Sequence, residues 1–430
     1  MADLLTIDPD AFGGPTALSI TRRRALARFE AGTLPDGTEE IWRYSRIGEL
    51  DPGAFRVARP ASASAPVPPA AVEAVLALTG RRAATVRTVD GAVVSVDVAE
   101  ETTAAGVTVG PGADGTEVGA LTDAVEPWDP FVDLNTAQAP SPVVVNVPAG
   151  TVLDHPIVVC HWVGGDAAAV FPRVVVRLGA NAVARVVEYV ASADVVAWVD
   201  PVSELILSDG AQLDHLVVQE LGPRVWQTAY LAGQVARGAT LRSFVVGLGG
   251  SYARVRTDVH VVGPGGATEL SALYCGDGTQ MHDFRTLQHH GAAAVKSTSD
   301  LVFKGAVQDG ATSAYSGLIR IERGASGTRA FQTNRNLILS DSGLASYSVP
   351  NLDIEEADVS CSHASATGPI DPEQRFYLES RGVPPEVADR LIVLGFFDDL
   401  LERLVVPGLA PHLRLAVARK LALLPEDGRG

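Results

Sequence analysis

The sequence contains few of the residues that build disulfide-rich, membrane-spanning or secreted proteins. Only three cysteines occur in 430 residues, Cys160, Cys275 and Cys361, and their odd number and wide spacing argue against a disulfide framework. No run of about 18 uncharged apolar residues is present, so no membrane-spanning helix is expected. The first residues, MADLLTIDPD, lack the basic and apolar stretches of a signal peptide. We therefore expect a protein of the reducing cytoplasm.

Basic residues are scarce as well. The chain has 34 lysines and arginines against 51 aspartates and glutamates, which gives a net charge of −17. A field of that sign repels phosphate and anionic lipid, so neither nucleic acid nor a membrane surface is an expected partner. Hydrophobic residues make up 47% and charged residues 20% of the chain, a composition typical of globular rather than disordered proteins.

Composition and patterning divide the chain into four regions. An N-terminal helical region (1–57) precedes a Pro-, Ala- and Ser-rich linker and a small mixed segment (58–139). A core of short valine-rich strands follows (140–368), and a C-terminal helical domain ends the sequence (369–430). No helix-period pattern interrupts the strands of the core, so βαβ crossovers are not expected there.

The strand-rich core carries Gly-Ala pairs at a nearly fixed period. Gly179, Gly210, Gly238 and Gly266 begin such pairs, at steps of 31, 28 and 28 residues. Short strands with turn residues at a regular period favour a solenoid, in which each turn buries its inward residues on its neighbours. A β-sandwich of many short strands is the alternative that the pattern leaves open.

The last region predicts a small helical unit. Asp371 is placed to cap a helix with Pro372 at its first position, and Gly382 is placed to end it. The following segment has apolar residues at steps of three and four, and it carries more apolar surface than one buried stripe needs. The unit either closes the end of the solenoid or also docks a partner, and the sequence leaves both interpretations open.

Cys361 and His363 are the strongest candidates for metal ligands. On a strand, residues two apart point to the same face, so this thiol and this imidazole can address one ion. Both donors suit iron or zinc. A lone Cys-x-His pair nevertheless lacks the four ligands of a closed structural site, and cysteines are commonly buried for packing alone. The spacing by itself therefore leaves a structural role open.

A second cluster lies in MHDFRTLQHH, with His282, Asp283, His289 and His290. His282 and His290 could approach each other across adjacent turns to form a His/Asp metal site, but the pattern favours solvent-facing histidines on a solenoid. The segment GAAAVKS (291–297) lacks the glycine that a phosphate loop needs directly before its lysine, so nucleotide binding is not expected there.

Several segments together resemble the SufD proteins of the SufB/SufD family, which belong to the iron–sulfur cluster assembly (SUF) system. QTNRNL (332–337), CSH (361–363), FYL (376–378) and SRG (380–382) match that family in order, and WRY (42–44) also looks like it. The likeness is strong over about the last third of the chain. One departure is that Ala364, Ser365 and Ala366 stand where the family usually has Gly-Ala-Thr.

The resemblance implies a mainly β fold, a right-handed parallel β-helix over 140–368 flanked by N- and C-terminal helical regions. It implies a non-catalytic scaffold subunit that forms a heterodimer with a SufB-like paralogue. His363 is then a ligand of a transient iron–sulfur cluster or iron at the shared interface, and the role of Cys361 stays open. A SufC-like ATPase would bind the C-terminal helical domain, while this chain itself binds no nucleotide. Whether the isolated chain forms a homodimer is left open.

Two other functions remain to be weighed. A β-helix enzyme acting on polysaccharide usually has paired acidic residues in a surface groove, and no clear pair is present here. A stand-alone metal-binding protein would use His282, Asp283 and His290.

Overall fold

The computed structural model describes residues 8–13, 16–58, 68–112, 118–122, 126–340 and 346–421. Most of the predicted linker, residues 59–67, lies outside the described residues. None of the helices in the described ranges is both long enough and apolar enough to cross a membrane.

The strands, in chain order, are β1 (Arg56–Val57), β2 (Ala84–Val89), β3 (Ala92–Val98), β4 (Thr108–Pro111), β5 (Val143–Val147), β6 (Ile157–Val163), β7 (Ala168–Val170), β8 (Arg173–Leu178), β9 (Val183–Ser192), β10 (Ala197–Val199), β11 (Val202–Leu207), β12 (Gln212–Glu220), β13 (Val225–Val235), β14 (Thr240–Gly247), β15 (Tyr252–Val261), β16 (Ala267–Gly276), β17 (Met281–His290), β18 (Thr298–Val307), β19 (Thr312–Ile321), β20 (Thr328–Ile338), β21 (Ser346–Ile354) and β22 (Val359–Gly368).

The α-helices are α1 (Thr16–Ala31), α2 (Ala70–Ala77), α3 (Glu100–Ala104), α4 (Pro130–Gln138), α5 (Pro372–Ser380), α6 (Pro385–Leu401) and α7 (Ala410–Lys420). Short 3-10 helices cover Pro9–Phe12, Glu40–Trp42, Ile47–Glu49, Pro52–Ala54 and Pro407–Leu409.

Two parallel sheets form the centre of the molecule, and successive turns of the chain add one strand to each. The first sheet runs β21-β19-β17-β15-β13-β11-β8-β5-β4, and the second runs β22-β20-β18-β16-β14-β12-β9-β6-β2-β3. Paired residues lie about one turn apart in the sequence, as Leu301 with Gln332 and His260 with His289 illustrate. The result is a parallel β-solenoid of about eight turns. The predicted β-helix is confirmed, and the sandwich alternative is wrong.

Alternation along each strand builds the interior. In β8, Val174, Val176 and Leu178 face the core between the sheets, whereas Val175 packs on the outside. The Gly-Ala turns allow successive turns to stack closely. A Cβ atom on Gly179 would lie 2.5 Å from the backbone nitrogen of Ala149 in the preceding turn, which is too close for any other residue. Close backbone packing thus requires glycine at position 179, whereas Gly210 and Gly238 have positive φ angles of 68° and 63°, which favour glycine in their turns.

The last two helices, α6 and α7, pack along the flank of the second sheet. Phe397, Leu400 and Val417 share a hydrophobic cluster with Leu216 and Leu273, which lie on the outer face of that sheet. The interpretation that this unit closes the end of the solenoid is therefore wrong, because its apolar side covers a lateral surface instead.

The predicted start and end of the first C-terminal helix are confirmed. The Asp371 carboxylate accepts a hydrogen bond from the Glu373 backbone N–H, Pro372 is the first helical residue, and Gly382 follows with φ of +85°.

Candidate functional site

The last turn of the solenoid is open. β21 and β22 are the terminal strands of the two sheets, and each pairs with a strand on one side only. Their outer edges present backbone N–H and C=O groups that no further strand covers among the described residues. An edge of this kind is a ready template for pairing with another chain.

Cys361 and His363 both lie on β22 and face the same way. Cys361 stacks above Ala330, a residue of the interior cluster, and packs against that cluster itself. His363 stacks above Gln332, which is also buried. Side chains two residues apart on a strand share a face, so the thiol and the imidazole lie on the interior side of the last turn, with their Cα atoms roughly 6.6 Å apart.

The two side chains differ in exposure. His363 is exposed to solvent, whereas Cys361 is half-buried. Burial raises the pKa of the Cys361 thiol. The thiol is therefore protonated at neutral pH and must lose its proton to act as a metal ligand. The structure brings both predicted residues together at the open end, and it presents the imidazole more freely than the thiol.

Polar side chains surround Cys361 and His363 at the open end of the solenoid. The Ser365 hydroxyl donates to the Ser348 hydroxyl at 2.7 Å, which joins β22 to β21 across the interior. The Gln332 side-chain amide donates to the Asn351 carbonyl at 3.1 Å, and its oxygen accepts from the Tyr315 hydroxyl at 3.1 Å. The interior is thus hydrogen-bonded and polar where it meets solvent.

Sequence reasoning did not assign Ser348, Asn351 or Tyr315 to this region. A signal was present nonetheless, because Gln332, Asn334 and Asn336 occupy alternate, buried positions of one strand. Polar residues at successive inward positions of one strand indicate a hydrogen-bonded interior at that level of the solenoid.

The second predicted cluster does not form a site. His282 and His290 lie on the same strand, eight residues or roughly 26 Å apart, so the interpretation that they approach each other is wrong. His282 hydrogen bonds to the Cys275 carbonyl at 2.9 Å, and His290 to the Ser297 hydroxyl at 2.7 Å. Asp283 points to the opposite face and pairs with Arg254 at 2.9 Å. These three groups hold the fold together and do not meet at one point.

Across the described ranges, no group of three or more His, Cys, Asp or Glu side chains is arranged to hold a metal ion. Among the described residues, Cys361 and His363 are thus the two candidate ligands that the open end brings together.

Comparison with known proteins adds an independent observation. Residues 161–396, more than half of the chain, match the family model for the SufBD core domain of the SUF system for FeS cluster assembly. The chain belongs to the SufBD family. The prediction from the sequence motifs is confirmed, and the matched range contains both Cys361 and His363.

Individual relatives agree with the family model. An iron–sulfur cluster assembly SufBD family protein of Mycobacterium tuberculosis is 36% identical over 228 residues, 51% of this chain and 57% of the relative. The iron–sulfur cluster assembly protein SufD of Bacillus subtilis is 32% identical over 226 residues, 51% of this chain and 50% of that protein. SufD of Escherichia coli is 30% identical over 212 residues, 49% of each chain. The chain spans about half the length of these curated relatives.

Proposed function

We propose that this SufBD family chain is a non-catalytic scaffold subunit of a SufBCD-type complex in the reducing cytoplasm. It contributes His363 to a nascent iron–sulfur cluster that it shares with a SufB-like paralogue. The observation that carries this proposal is the exposed imidazole beside an unpaired strand edge at the open end of the solenoid.

The proposed partner interface is the edge of the last turn. Backbone groups on the outer edges of β21 and β22 pair with the corresponding strands of the paralogue, which extends both sheets across the interface. His363 then lies at the junction of two chains. The remaining ligands come from the partner, a proposal supported by the absence of any group of three or more metal-ligating side chains among the described residues.

A divided ligand set suits a scaffold that must release its cluster. A full set of thiolates on one chain holds a cluster firmly, whereas an imidazole is a neutral ligand. Moving the two chains apart removes part of the coordination, and such a movement can be driven by an ATPase bound elsewhere. Cys361 serves as a second ligand only after its half-buried thiol loses a proton.

The C-terminal helices offer a surface for that ATPase. No residue of α5 is buried, and Phe376 and Tyr377 are 72% and 58% exposed. Leu391 of α6 is 49% exposed, on the helix that packs beside α5. Large exposed apolar side chains in one region are typical of interaction sites. We propose that a SufC-like ATPase docks here, and that this chain itself binds no nucleotide.

The test is cluster assembly in a complex reconstituted from this chain, a SufB-like protein and a SufC-like ATPase. We expect the three proteins to co-purify, and we expect His363→Ala to abolish or strongly reduce the cluster measured by iron content and visible absorption. The control is Ser362→Ala, an exposed neighbour on the same strand that points to the opposite face.

The two parts of the proposal can fail separately. Absence of co-purification would contradict the scaffold role. Normal cluster formation by the His363→Ala complex would contradict the ligand assignment while leaving the assembly itself intact.

A further inference from the structure

Two histidines meet on the outer face of the first sheet, away from the open end. His260 of β15 and His289 of β17 are direct partners in the register of adjacent strands. Their Nδ1 atoms are 2.9 Å apart, and the rings are perpendicular with centroids 5.1 Å apart. Both side chains are half-buried, so the pair is in contact with solvent but is held by its surroundings.

A carboxylate orients one of the two rings. Glu322 Oε1 lies 3.0 Å from His289 Nε2, and Glu322 Oε2 accepts the backbone N–H of Ala292 at 2.9 Å. A carboxylate accepts and does not donate, so His289 carries its proton on Nε2 and presents the Nδ1 lone pair to His260. Histidines that bind metals commonly have such a carboxylate partner on the other ring nitrogen.

The second ring is favoured in its neutral form. Burial, followed by the neighbouring His289, lowers the pKa of His260, while Asp258 and Glu322 oppose that shift. A neutral imidazole is the form that binds a metal ion. In the metal-free chain, His260 donates its Nδ1 proton to the His289 lone pair, because His289 is already fixed as the acceptor.

We propose that His260 and His289 form a two-histidine site for a divalent transition-metal ion, bound through both Nδ1 atoms, with Glu322 as the positioning residue behind His289. Binding requires His260 to shift its proton from Nδ1 to Nε2, so no proton is lost from the pair. Water completes the coordination. This site is separate from the open end and does not depend on the function proposed above.

The spacing of the two nitrogens indicates which ions fit. With metal–nitrogen bonds of about 2.05 Å, two ligands at 90° lie about 2.9 Å apart, whereas two ligands of a tetrahedral ion lie about 3.3 Å apart. The observed 2.9 Å is the length of the hydrogen bond between the rings in the metal-free chain, and it equals the separation that right-angled coordination of Ni²⁺ or Cu²⁺ needs once both Nδ1 lone pairs turn towards the ion. Zn²⁺ requires in addition that the rings separate slightly.

The test is calorimetric titration of the full chain, made without a polyhistidine tag, with NiCl₂ at pH 7.5. We expect one Ni²⁺ per chain. His260→Asn and His289→Asn should each weaken binding tenfold or more, and Glu322→Gln should weaken it about 10–100-fold by releasing His289. The matched control is His363→Ala combined with Cys361→Ala, which should bind Ni²⁺ as the parent chain does. Circular dichroism verifies that each variant is folded.

Any one of three results would overturn the proposal. The parent chain could show no saturable Ni²⁺ binding, both asparagine variants could bind Ni²⁺ with unchanged affinity, or the His363/Cys361 control could lose binding. Unchanged affinity in Glu322→Gln would overturn the positioning role assigned to that carboxylate.

Discussion

Two histidines face the interior of the solenoid from the same sheet, yet their surroundings are opposite. His215, in the middle of the solenoid, is fully buried, with Nε2 2.8 Å from Glu188 and Nδ1 3.1 Å from the Ser243 hydroxyl. His363, on the last turn, is exposed. The same residue type on the same face is thus a structural group where further turns cover it, and an available ligand where no turn follows.

Glu188 accepts a hydrogen bond from buried His215 and lies close to buried His161, 3.7 Å from its Nε2. Burial opposes ionisation of this carboxyl, but hydrogen bonds and charge from His161 and His215 outweigh it and hold its pKa well below the usual range. The Ser203 hydroxyl also donates to it at 2.7 Å. The carboxylate therefore stays charged inside the core. Among the described residues, no comparable carboxylate lies beside the imidazole of His363.

The largest effect is expected from removing that carboxylate. Glu188→Ala leaves His215 buried without its acceptor and removes the carboxylate that lies 3.7 Å from His161 Nε2, and we expect it to lower the free energy of unfolding by about 3–5 kcal/mol. Urea denaturation followed by circular dichroism measures this loss. Glu188→Gln keeps the volume and a hydrogen-bonding oxygen, so it should cost less. A loss below about 1 kcal/mol in Glu188→Ala would contradict the structural role of the cluster.

A smaller effect is expected from acidification, through His282. Burial, followed by the charge of Lys420, lowers the pKa of His282 to about 3. The unfolded chain, with a histidine pKa of about 6.5, binds more protons than the folded chain between these values, so stability falls as pH falls below about 6.5. Between pH 7.5 and pH 5 this group should account for about 2 kcal/mol.

The measurement is urea denaturation at both pH values for the parent chain and for His282→Gln. The variant should lose less stability on acidification than the parent, whereas His363→Gln should behave as the parent does. Equal losses in the parent chain and in His282→Gln would show that His282 is not held neutral in the folded protein.

The smallest effect is expected at the open end. His363→Ala removes an exposed side chain that no buried group depends on, so the free energy of unfolding should change by less than about 0.5 kcal/mol. Thermal and urea denaturation of the isolated chain measure this. A loss above 1 kcal/mol would indicate that the imidazole supports the last turn, and the contrast with His215 would then fail.

Much of the fold could be predicted from residues that are close together in the sequence. The periodic Gly-Ala pairs predicted stacked turns because each repeat needs a tight turn, which glycine permits either by close backbone approach, as at Gly179, or by a positive φ, as at Gly238. The same-face placement of Cys361 and His363 followed from strand alternation alone. Asp371, Pro372 and Gly382 marked the ends of a helix because capping depends on a few adjacent residues.

Other features could not be predicted from the sequence, because they depend on the register of strand pairing between turns. His282 and His290 could have converged across adjacent turns, but they belong to one strand and are separated along its length. His260 was not assigned to any cluster, although it lies beside His289, because a partner 29 positions away is specified only by strand pairing. The position of α6 and α7 on the flank of the second sheet likewise depends on which surface remains uncovered.

The amino-acid sequence alone determined the repeating strand architecture, the family, and the presence of a thiol and an imidazole on one face of a strand near residue 362. These properties depend on neighbours in the chain or on a regular period. Tertiary structure alone decided which histidines are covered and which are open, because coverage depends on whether another turn follows in space. That distinction makes His215 part of the core and leaves His363 available at the end of the solenoid.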